Sequence, residues 1–148
     1  MMKAASAPGL QRVFFYGLFM DPALLHGMGA RATVIGPAEL SGYALRIGDR
    51  ATLVRSDGAS AYGQLMDLSD GDVERLYAAP GLSDYVPERV RVRLLKDRSL
   101  DEALSYHLPV AKLETTTNAT YARQLADVAR SSGFPDDYCR YIEQLADG

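Results

Sequence analysis

Glu88 is the residue whose position in the sequence most suggests acid–base chemistry. It shares parity with the valines of its segment, Val86, Val90 and Val92, so a strand there points it toward the apolar side. A carboxylate on that side is unfavourable unless it is paired or lines a wet cavity. If the strand begins only after Pro87, Glu88 is exposed instead. Glu88 is therefore either an inward acid/base candidate or a surface residue.

The turn after Tyr16-Gly17 is a second candidate for a functional site, as a place that could bind a carboxylate. The apolar aromatic run Val13–Tyr16 is typical of a buried strand, and it ends at a glycine. Asp21-Pro22 follows and fits a helix N-cap with proline at the first helical position. A strand-to-helix turn of this kind can present successive backbone N–H groups to a carboxylate.

The remaining reactive side chains do not form a recognisable site. His26 and His107 lie far apart without a cluster of ligands, whereas a structural zinc site needs four. His107 is expected to be a packed strand residue, and Cys139 a small core residue of a helix. Neither a Gly-x-Ser-x-Gly elbow nor a glycine-rich phosphate loop occurs. We therefore expect no metal site.

Composition restricts the class of protein. The 148 residues suit one domain, which we place at 12–148 after a flexible N-terminal segment, 1–11. With 16 basic and 19 acidic residues the net charge is −3, and we expect no nucleic-acid partner. The row Arg89, Arg91 and Arg93 is better read as a solvated strand face than as an anion patch. A single cysteine and the lack of a long apolar window predict a cytoplasmic protein without a membrane partner. The oligomeric state stays open.

Short strand patterns dominate the first two thirds of the chain and helical patterns the last third. We expect a helix after Asp21-Pro22, one after Ser69 that ends by Pro80, and two near the C-terminus separated by Gly133. This arrangement predicts an α+β fold with a closed or strongly curved sheet. The expected strands are Val13–Tyr16, Thr33–Ile35, Tyr43–Ile47, Thr52–Val54, Tyr62–Leu68, Val86–Leu94 and Ala103–Leu108.

The order of these segments resembles the γ-glutamylcyclotransferase-like superfamily. Val13–Pro22 is similar to its "VFVYGTLMxP" opening, and Ala61–Leu68 to its "V-x-G-x-L-Y-x-V" strand. The helix and strand that follow also resemble the family, as do the closing "P-x-x-Y … G-L-P-x-x-Y" helices; these matches are Asp72–Leu76, Ala103–Tyr106, Asn118–Tyr121 and Gly133–Tyr138.

The resemblance implies a mixed β-barrel with flanking helices and a cavity for a γ-glutamyl group. Family enzymes release 5-oxoproline when the α-amine of the substrate attacks its own γ-carbonyl. A glutamate takes a proton from the ammonium and returns one to the leaving amine. The Tyr-Gly-x-x loop supplies backbone donors to the substrate, and the resemblance implies that no metal or organic cofactor is required.

The sequence departs from the family at three positions in two of its motifs. The family glutamate lies in "L-D-x-x-E-G", where this chain has Leu76–Gly81. Pro80 thus stands at the glutamate position and Tyr77 at the aspartate position. In the opening loop Leu18 replaces the usual Ser or Thr, which removes a hydroxyl and keeps the backbone N–H. Proline cannot transfer a proton, so the usual mechanism is not available from that site.

Three functions follow from these observations. The first is a protein without the standard cyclotransferase activity that binds a γ-glutamyl or other small carboxylate ligand in the barrel cavity. The second is an active cyclotransferase with Glu88 as a relocated acid/base. The third is an interaction module whose cavity is filled by its own side chains. The expected cavity lining is Tyr16, Gly17, Leu18, Phe19, Tyr85, Tyr106 and Tyr121, although each tyrosine is equally suited to plain core packing.

Overall fold

Five strands and four α-helices make up the computed structural model, which describes residues 9–109 and 117–147. The strands pair in the order β1–β3–β2–β4–β5, and β5 returns to β1 to close the barrel. All pairs are antiparallel except the closing one, which is parallel at Val13 and Leu104. The strands are β1 Leu10–Phe15, β2 Thr33–Ile47, β3 Ala51–Ser69, β4 Val86–Leu94 and β5 Leu100–His107. The predicted α+β fold with a mixed β-barrel is confirmed.

Strands β2 and β3 are longer than the sequence pattern predicts. Gly36 and Gly42 were expected to lie outside strands, but both lie within β2, where the register shifts between Val34 and Gly36 and between Ser41 and Tyr43. Bulges of this kind bend a strand without ending it. The separate short strands expected on either side of these points are therefore parts of two long, bent strands that curl around the barrel.

Alternation along β4 divides the barrel into an inner and an outer face. Val90, Val92 and Leu94 are buried, whereas the intervening Arg89 and Arg91 are exposed. Strand β1 differs, because Val13, Phe14 and Phe15 are all buried. Such a continuous apolar run is typical of a strand covered on both faces. The end of β1 therefore leads from the core directly into the Tyr16–Phe19 loop.

The four α-helices are α1 Pro22–Gly27, α2 Asp70–Ala78, α3 Ala119–Ser131 and α4 Asp136–Asp147. The first two begin directly after the predicted capping residues. The Asp21 side chain accepts a hydrogen bond from the Ala23 N–H, and the Ser69 hydroxyl accepts one from the Asp72 N–H. Gly133, with φ of 78°, lies in the turn between α3 and α4.

The sequence also predicts the lack of a membrane-spanning segment and a flexible N-terminal segment. In the described part of the chain no helix has the length and apolarity to cross a membrane. Of the expected N-terminal segment 1–11, the first eight residues lie outside the described range, and Leu10 and Gln11 belong to β1.

Candidate functional site

The Tyr16–Phe19 loop forms one wall of a cavity of about 260 Å³. Strand β1 ends at Phe15, and Gly17 then begins a single 3-10 turn, Leu18–Met20, in which the Met20 N–H donates to the Gly17 carbonyl. The volume is near the lower end of the range for small-molecule sites. The described lining residues are Phe14, Phe15, Tyr16, Gly17, Leu18, Phe19, Leu24, Asp49, Arg50, Ala51, Tyr77, Leu82, Tyr85 and Tyr121.

Tyr121 carries the polar group closest to the loop backbone. Its hydroxyl accepts a hydrogen bond of 3.1 Å from the Leu18 N–H. Helix α3 fixes the ring at this place, because Asn118 caps the helix and accepts from the Tyr121 N–H. Burial raises the pKa of Tyr121, so its hydroxyl stays protonated at neutral pH. One hydrogen bond of the loop is thus made to a phenol from a residue 103 positions away in sequence.

Gly17 permits this contact. A Cβ at position 17 would lie 2.5 Å from the Tyr121 hydroxyl oxygen, closer than real Cβ atoms come. The backbone of Gly17, with φ of −107°, is extended and accessible to any residue. Close approach of Tyr121, rather than backbone conformation, is therefore the reason for glycine at this position.

The turn between β2 and β3 forms the mouth of the cavity. The Arg50 guanidinium donates to the Gly81 carbonyl at 3.0 Å and to the Asp84 carboxylate at 2.7 Å. It also lies over the Tyr85 ring, 5.8 Å from the ring centre. Asp49 is exposed, and it is the only carboxylate among the described lining residues. Positive and negative groups therefore meet at the entrance, and the interior is largely apolar.

The walls of the cavity are aromatic. The ring centres of Phe15 and Phe19 lie 5.9 Å apart in an edge-to-face contact, and those of Phe19 and Tyr77 lie 6.3 Å apart in another. The Tyr77 and Tyr85 rings are tilted against each other, with their centres 6.1 Å apart. The sequence reasoning included Phe19 and Tyr85 in the lining but not Phe15 and Tyr77. These four rings form a continuous arc along the wall, which we call the aromatic arc.

Of the tyrosines expected in the lining, Tyr106 takes a different place. It is not among the described lining residues, but its ring stacks on Tyr77 at 3.9 Å with an angle of 10° between the planes. Its backbone carbonyl accepts a hydrogen bond of 2.5 Å from the Tyr16 hydroxyl. The Tyr85 hydroxyl similarly donates to the Ala51 carbonyl at 2.5 Å. Two hydroxyls at the cavity wall are thus engaged by the backbone.

Glu88 lies at the end of the barrel, on the inner face of β4. Strand β4 begins at Val86, so the alternation that points Glu88 inward applies, yet the side chain retains 37% of its accessible surface. One carboxylate oxygen accepts from the Tyr43 hydroxyl and, at 3.1 Å, from Arg55. The other lies 3.1 Å from Nδ1 of His107. Glu88 is not among the described residues that line the cavity.

His107 contacts both Glu88 and the first residue of the loop. Its ring centre lies 6.0 Å from that of Tyr16 and 5.6 Å from that of Tyr43, and its Nε2 is 2.7 Å from the Ser105 hydroxyl. His107 is therefore the described neighbour of Glu88 that also lies beside Tyr16. No hydrogen bond joins Tyr16 to His107 within the described part of the chain.

The electrostatics of this cluster favour a charged Glu88 and a neutral His107. Burial acts to raise the pKa of Glu88, but the hydrogen bond from Tyr43 and the charge and hydrogen-bond interactions with His107 and Arg55 outweigh it, and the pKa lies below its usual value. Burial also lowers the pKa of His107, against the opposite effect of Glu88. The pKa of Tyr43 is raised to about 12 by burial and by its bond to Glu88. A general base at neutral pH works best with a pKa near 7, and Glu88 is shifted away from it.

Pro80, which the family resemblance is expected to place at the glutamate position, is exposed in the turn after α2. It is not among the described lining residues, whereas Leu82, two positions later, is. Sequence reasoning also missed Asp49 and Arg50, whose only signal was their place in a polar turn between two strand patterns. In the described residues no group of His, Cys, Asp and Glu side chains is arranged to hold a metal ion.

One family model matches most of the chain. The family model described as gamma-glutamyl cyclotransferase, AIG2-like, matches residues 13–128. A comparison with curated protein sequences finds no significant match.

Several solved structures share the fold. An uncharacterized human protein is 18% identical, with a TM-score of 0.74 over 91% of this chain and 87% of its own. A gamma-glutamyl cyclotransferase is 18% identical, with a TM-score of 0.71 over 90% and 86%. An AIG2-like protein from Mus musculus is 15% identical, with a TM-score of 0.56 over 70% and 80%. At these identities the likeness concerns the fold.

Proposed function

The chain belongs to the gamma-glutamyl cyclotransferase, AIG2-like family, and from this premise we propose that it binds a γ-glutamyl or other small carboxylate ligand without the standard cyclotransferase reaction. The observation that carries the proposal is an open cavity beside the Tyr16–Phe19 loop whose described interior wall offers the Tyr121 hydroxyl and aromatic rings but no carboxylate. Binding requires groups that hold the ligand, whereas cyclotransfer requires a carboxylate that transfers protons.

Recognition of a ligand carboxylate is supported at two places. The Leu18 N–H and the Tyr121 hydroxyl meet at the loop, and the hydroxyl, which accepts from Leu18, retains a hydrogen to donate. Arg50 supplies a guanidinium at the mouth, where it is oriented by Gly81 and Asp84. Charge-assisted hydrogen bonds of this type are the strong ones in carboxylate recognition.

The absence of cyclotransfer is supported by the places of the carboxylates. The reaction needs a group that removes a proton from the α-ammonium and then protonates the leaving amine. Pro80 cannot do this, and Asp49 is exposed at the entrance. Glu88 contacts His107, is outside the described lining and has a lowered pKa. The open volume of the cavity argues against the alternative of an interaction module with a filled interior.

Calorimetric titration with γ-glutamylglycine and 5-oxoproline tests binding, and release of 5-oxoproline over hours tests turnover. We expect saturable binding of at least one probe and no release above the rate without protein. Arg50→Met should weaken binding, whereas Arg46→Met, which changes an exposed arginine of β2 outside the described lining, should not.

The other possible results of these two assays contradict different parts of the proposal. Lack of binding by both probes refutes the ligand-binding function. Release of 5-oxoproline refutes the loss of activity and revives the active alternative. In that case Glu88→Gln decides the relocated acid/base: turnover lost in this variant assigns the role to Glu88, and equal turnover removes Glu88 from it.

A further inference from the structure

We propose that the cavity selects γ-glutamyl conjugates of aromatic amines or aromatic amino acids, with the aromatic group held against the aromatic arc. The inference rests on the proposed function and names the class of ligand that the site takes. It comes from the arc, Phe15, Phe19, Tyr77 and Tyr85, which forms much of the cavity wall beside the loop.

The rings of the arc are held in place by their neighbours. Tyr106 stacks on Tyr77 at 3.9 Å, which covers one face of Tyr77 with a residue outside the described lining. The edge-to-face contacts of Phe19, to Phe15 on one side and to Tyr77 on the other, fix its plane. Rings that are already oriented lose little conformational freedom when a ligand ring packs against them. Aromatic rings also prefer offset-stacked or edge-to-face contacts with a further ring.

The tyrosines of the wall offer apolar surface more than hydrogen bonds. The Tyr16 hydroxyl donates to the Tyr106 carbonyl and the Tyr85 hydroxyl to the Ala51 carbonyl. Their donor hydrogens are therefore engaged by the protein. A polar sugar or an extended peptide would leave its own polar groups without partners against these rings, which is costly in a partly enclosed site.

A cationic second group is disfavoured. Arg50 lies over the Tyr85 ring at 5.8 Å and so occupies the position from which a ligand cation would interact with that ring. A ligand ammonium placed there would meet the Arg50 charge. A neutral aromatic group avoids this repulsion and buries its surface against the arc.

Calorimetric titration with three probes, γ-glutamylphenylalanine, γ-glutamylleucine and γ-glutamylglycine, tests the selection. We expect the phenylalanine conjugate to bind at least tenfold more tightly than the glycine conjugate, because it buries a whole side chain. It should also bind several-fold more tightly than the leucine conjugate, because an aromatic pair adds to the effect of buried area.

Tyr77→Leu tests the assignment to the arc, since it removes a ring and keeps an apolar side chain. We expect this variant to lose the preference for phenylalanine over leucine and to retain binding of the glycine conjugate. Tyr141→Leu is the matched control, because Tyr141 is a half-exposed tyrosine of α4 outside the described lining. If thermal unfolding shows that Tyr77→Leu does not fold, Phe19→Leu takes its place.

The outcomes separate the two proposals. Equal affinity for all three conjugates, or a leucine conjugate that binds as tightly as phenylalanine, overturns the aromatic selection and leaves the proposed function standing. A preference for phenylalanine that survives both Tyr77→Leu and Phe19→Leu overturns the role of the arc. Failure of all three conjugates to bind overturns this inference, and it overturns the proposed function as well if 5-oxoproline also fails to bind.

Discussion

The contact between Gly17 and Tyr121 predicts a pair of substitutions that compensate each other. Gly17→Ala places a Cβ 2.5 Å from the Tyr121 hydroxyl oxygen, whereas the next atom of the same side chain, Cζ, is 3.8 Å away. Removing the hydroxyl by Tyr121→Phe therefore removes the overlap. The alanine then meets only ordinary van der Waals contacts, to Cζ and to the Ala51 Cβ at 3.9 Å.

The magnitudes follow from these distances. In the wild-type background the hydroxyl must move by roughly 0.9 Å to restore an ordinary contact, which disrupts its 3.1 Å hydrogen bond to the Leu18 N–H. We expect Gly17→Ala to lower the free energy of unfolding by about 1–3 kcal/mol. Tyr121→Phe alone should lower it by about 1–2 kcal/mol, because the Leu18 N–H loses its acceptor.

In the Tyr121→Phe background, Gly17→Ala should cost about 0.5 kcal/mol or less. The extended backbone of Gly17 accepts alanine, and alanine reduces the entropy of the unfolded chain by the equivalent of about 0.4–1 kcal/mol. The double variant should thus be about as stable as Tyr121→Phe alone, with a coupling free energy of about 1–3 kcal/mol.

Urea unfolding of the four proteins, followed by far-ultraviolet circular dichroism, measures this coupling. The chain contains no tryptophan, so circular dichroism gives a signal common to all variants. Additive losses, with a coupling below about 0.5 kcal/mol, would show that the Tyr121 hydroxyl does not limit the residue at position 17. Such a result would refute the account of the loop given above.

Two further predictions concern a close contact between the paired strands β1 and β3 and the buried His107. Gly63→Ala should lower the free energy of unfolding by about 3 kcal/mol or more, because its Cβ would lie 2.2 Å from the Phe15 carbonyl oxygen. Gly71→Ala is the control, because its Cβ meets only a side-chain atom at 3.6 Å. Urea unfolding should show that this control is as stable as the wild type or more stable. The stability of the wild type should fall as pH drops below 6.5, since the folded state disfavours protonated His107, and fall again below 4.5, where Glu88 accepts protons more readily in the unfolded chain. His107→Gln should flatten the first of these decreases, and an unchanged pH profile of thermal unfolding in this variant would contradict the assignment.

The parts of the fold that could be predicted are those set by local pattern. The alternation of valine and arginine in β4 and the capping residues Ser69 and Asp21 act within a few positions, and the structure confirms them. The lengths of β2 and β3 could not be predicted, because Gly36 in isolation indicates a break. Only pairing with β3 on either side of the register shift converts that break into a bulge.

In the candidate site, too, features set by local sequence could be predicted, whereas contacts between distant residues could not. The Tyr16–Phe19 loop was accessible to sequence reasoning because a buried strand that ends in glycine has a recognisable pattern. The contact that organises the loop was not, because Tyr121 is 103 positions away and its ring reaches the loop only through the packing of α3. Arg50 was missed for a related reason: its partners, Gly81 and Asp84, lie in another turn that the barrel brings to the same mouth.

The two departures from the family pattern that reach the cavity have a common physical effect. Leu18 stands where the resemblance expects a hydroxyl and Tyr77 where it expects a carboxylate, and both line the cavity. Each substitution replaces a group that needs a hydrogen-bond partner with apolar surface. A site without interior carboxylates among its described residues can bury an apolar ligand group without leaving a charge unpaired. The proposed loss of cyclotransfer and the proposed selection of an aromatic ligand are therefore consistent with each other.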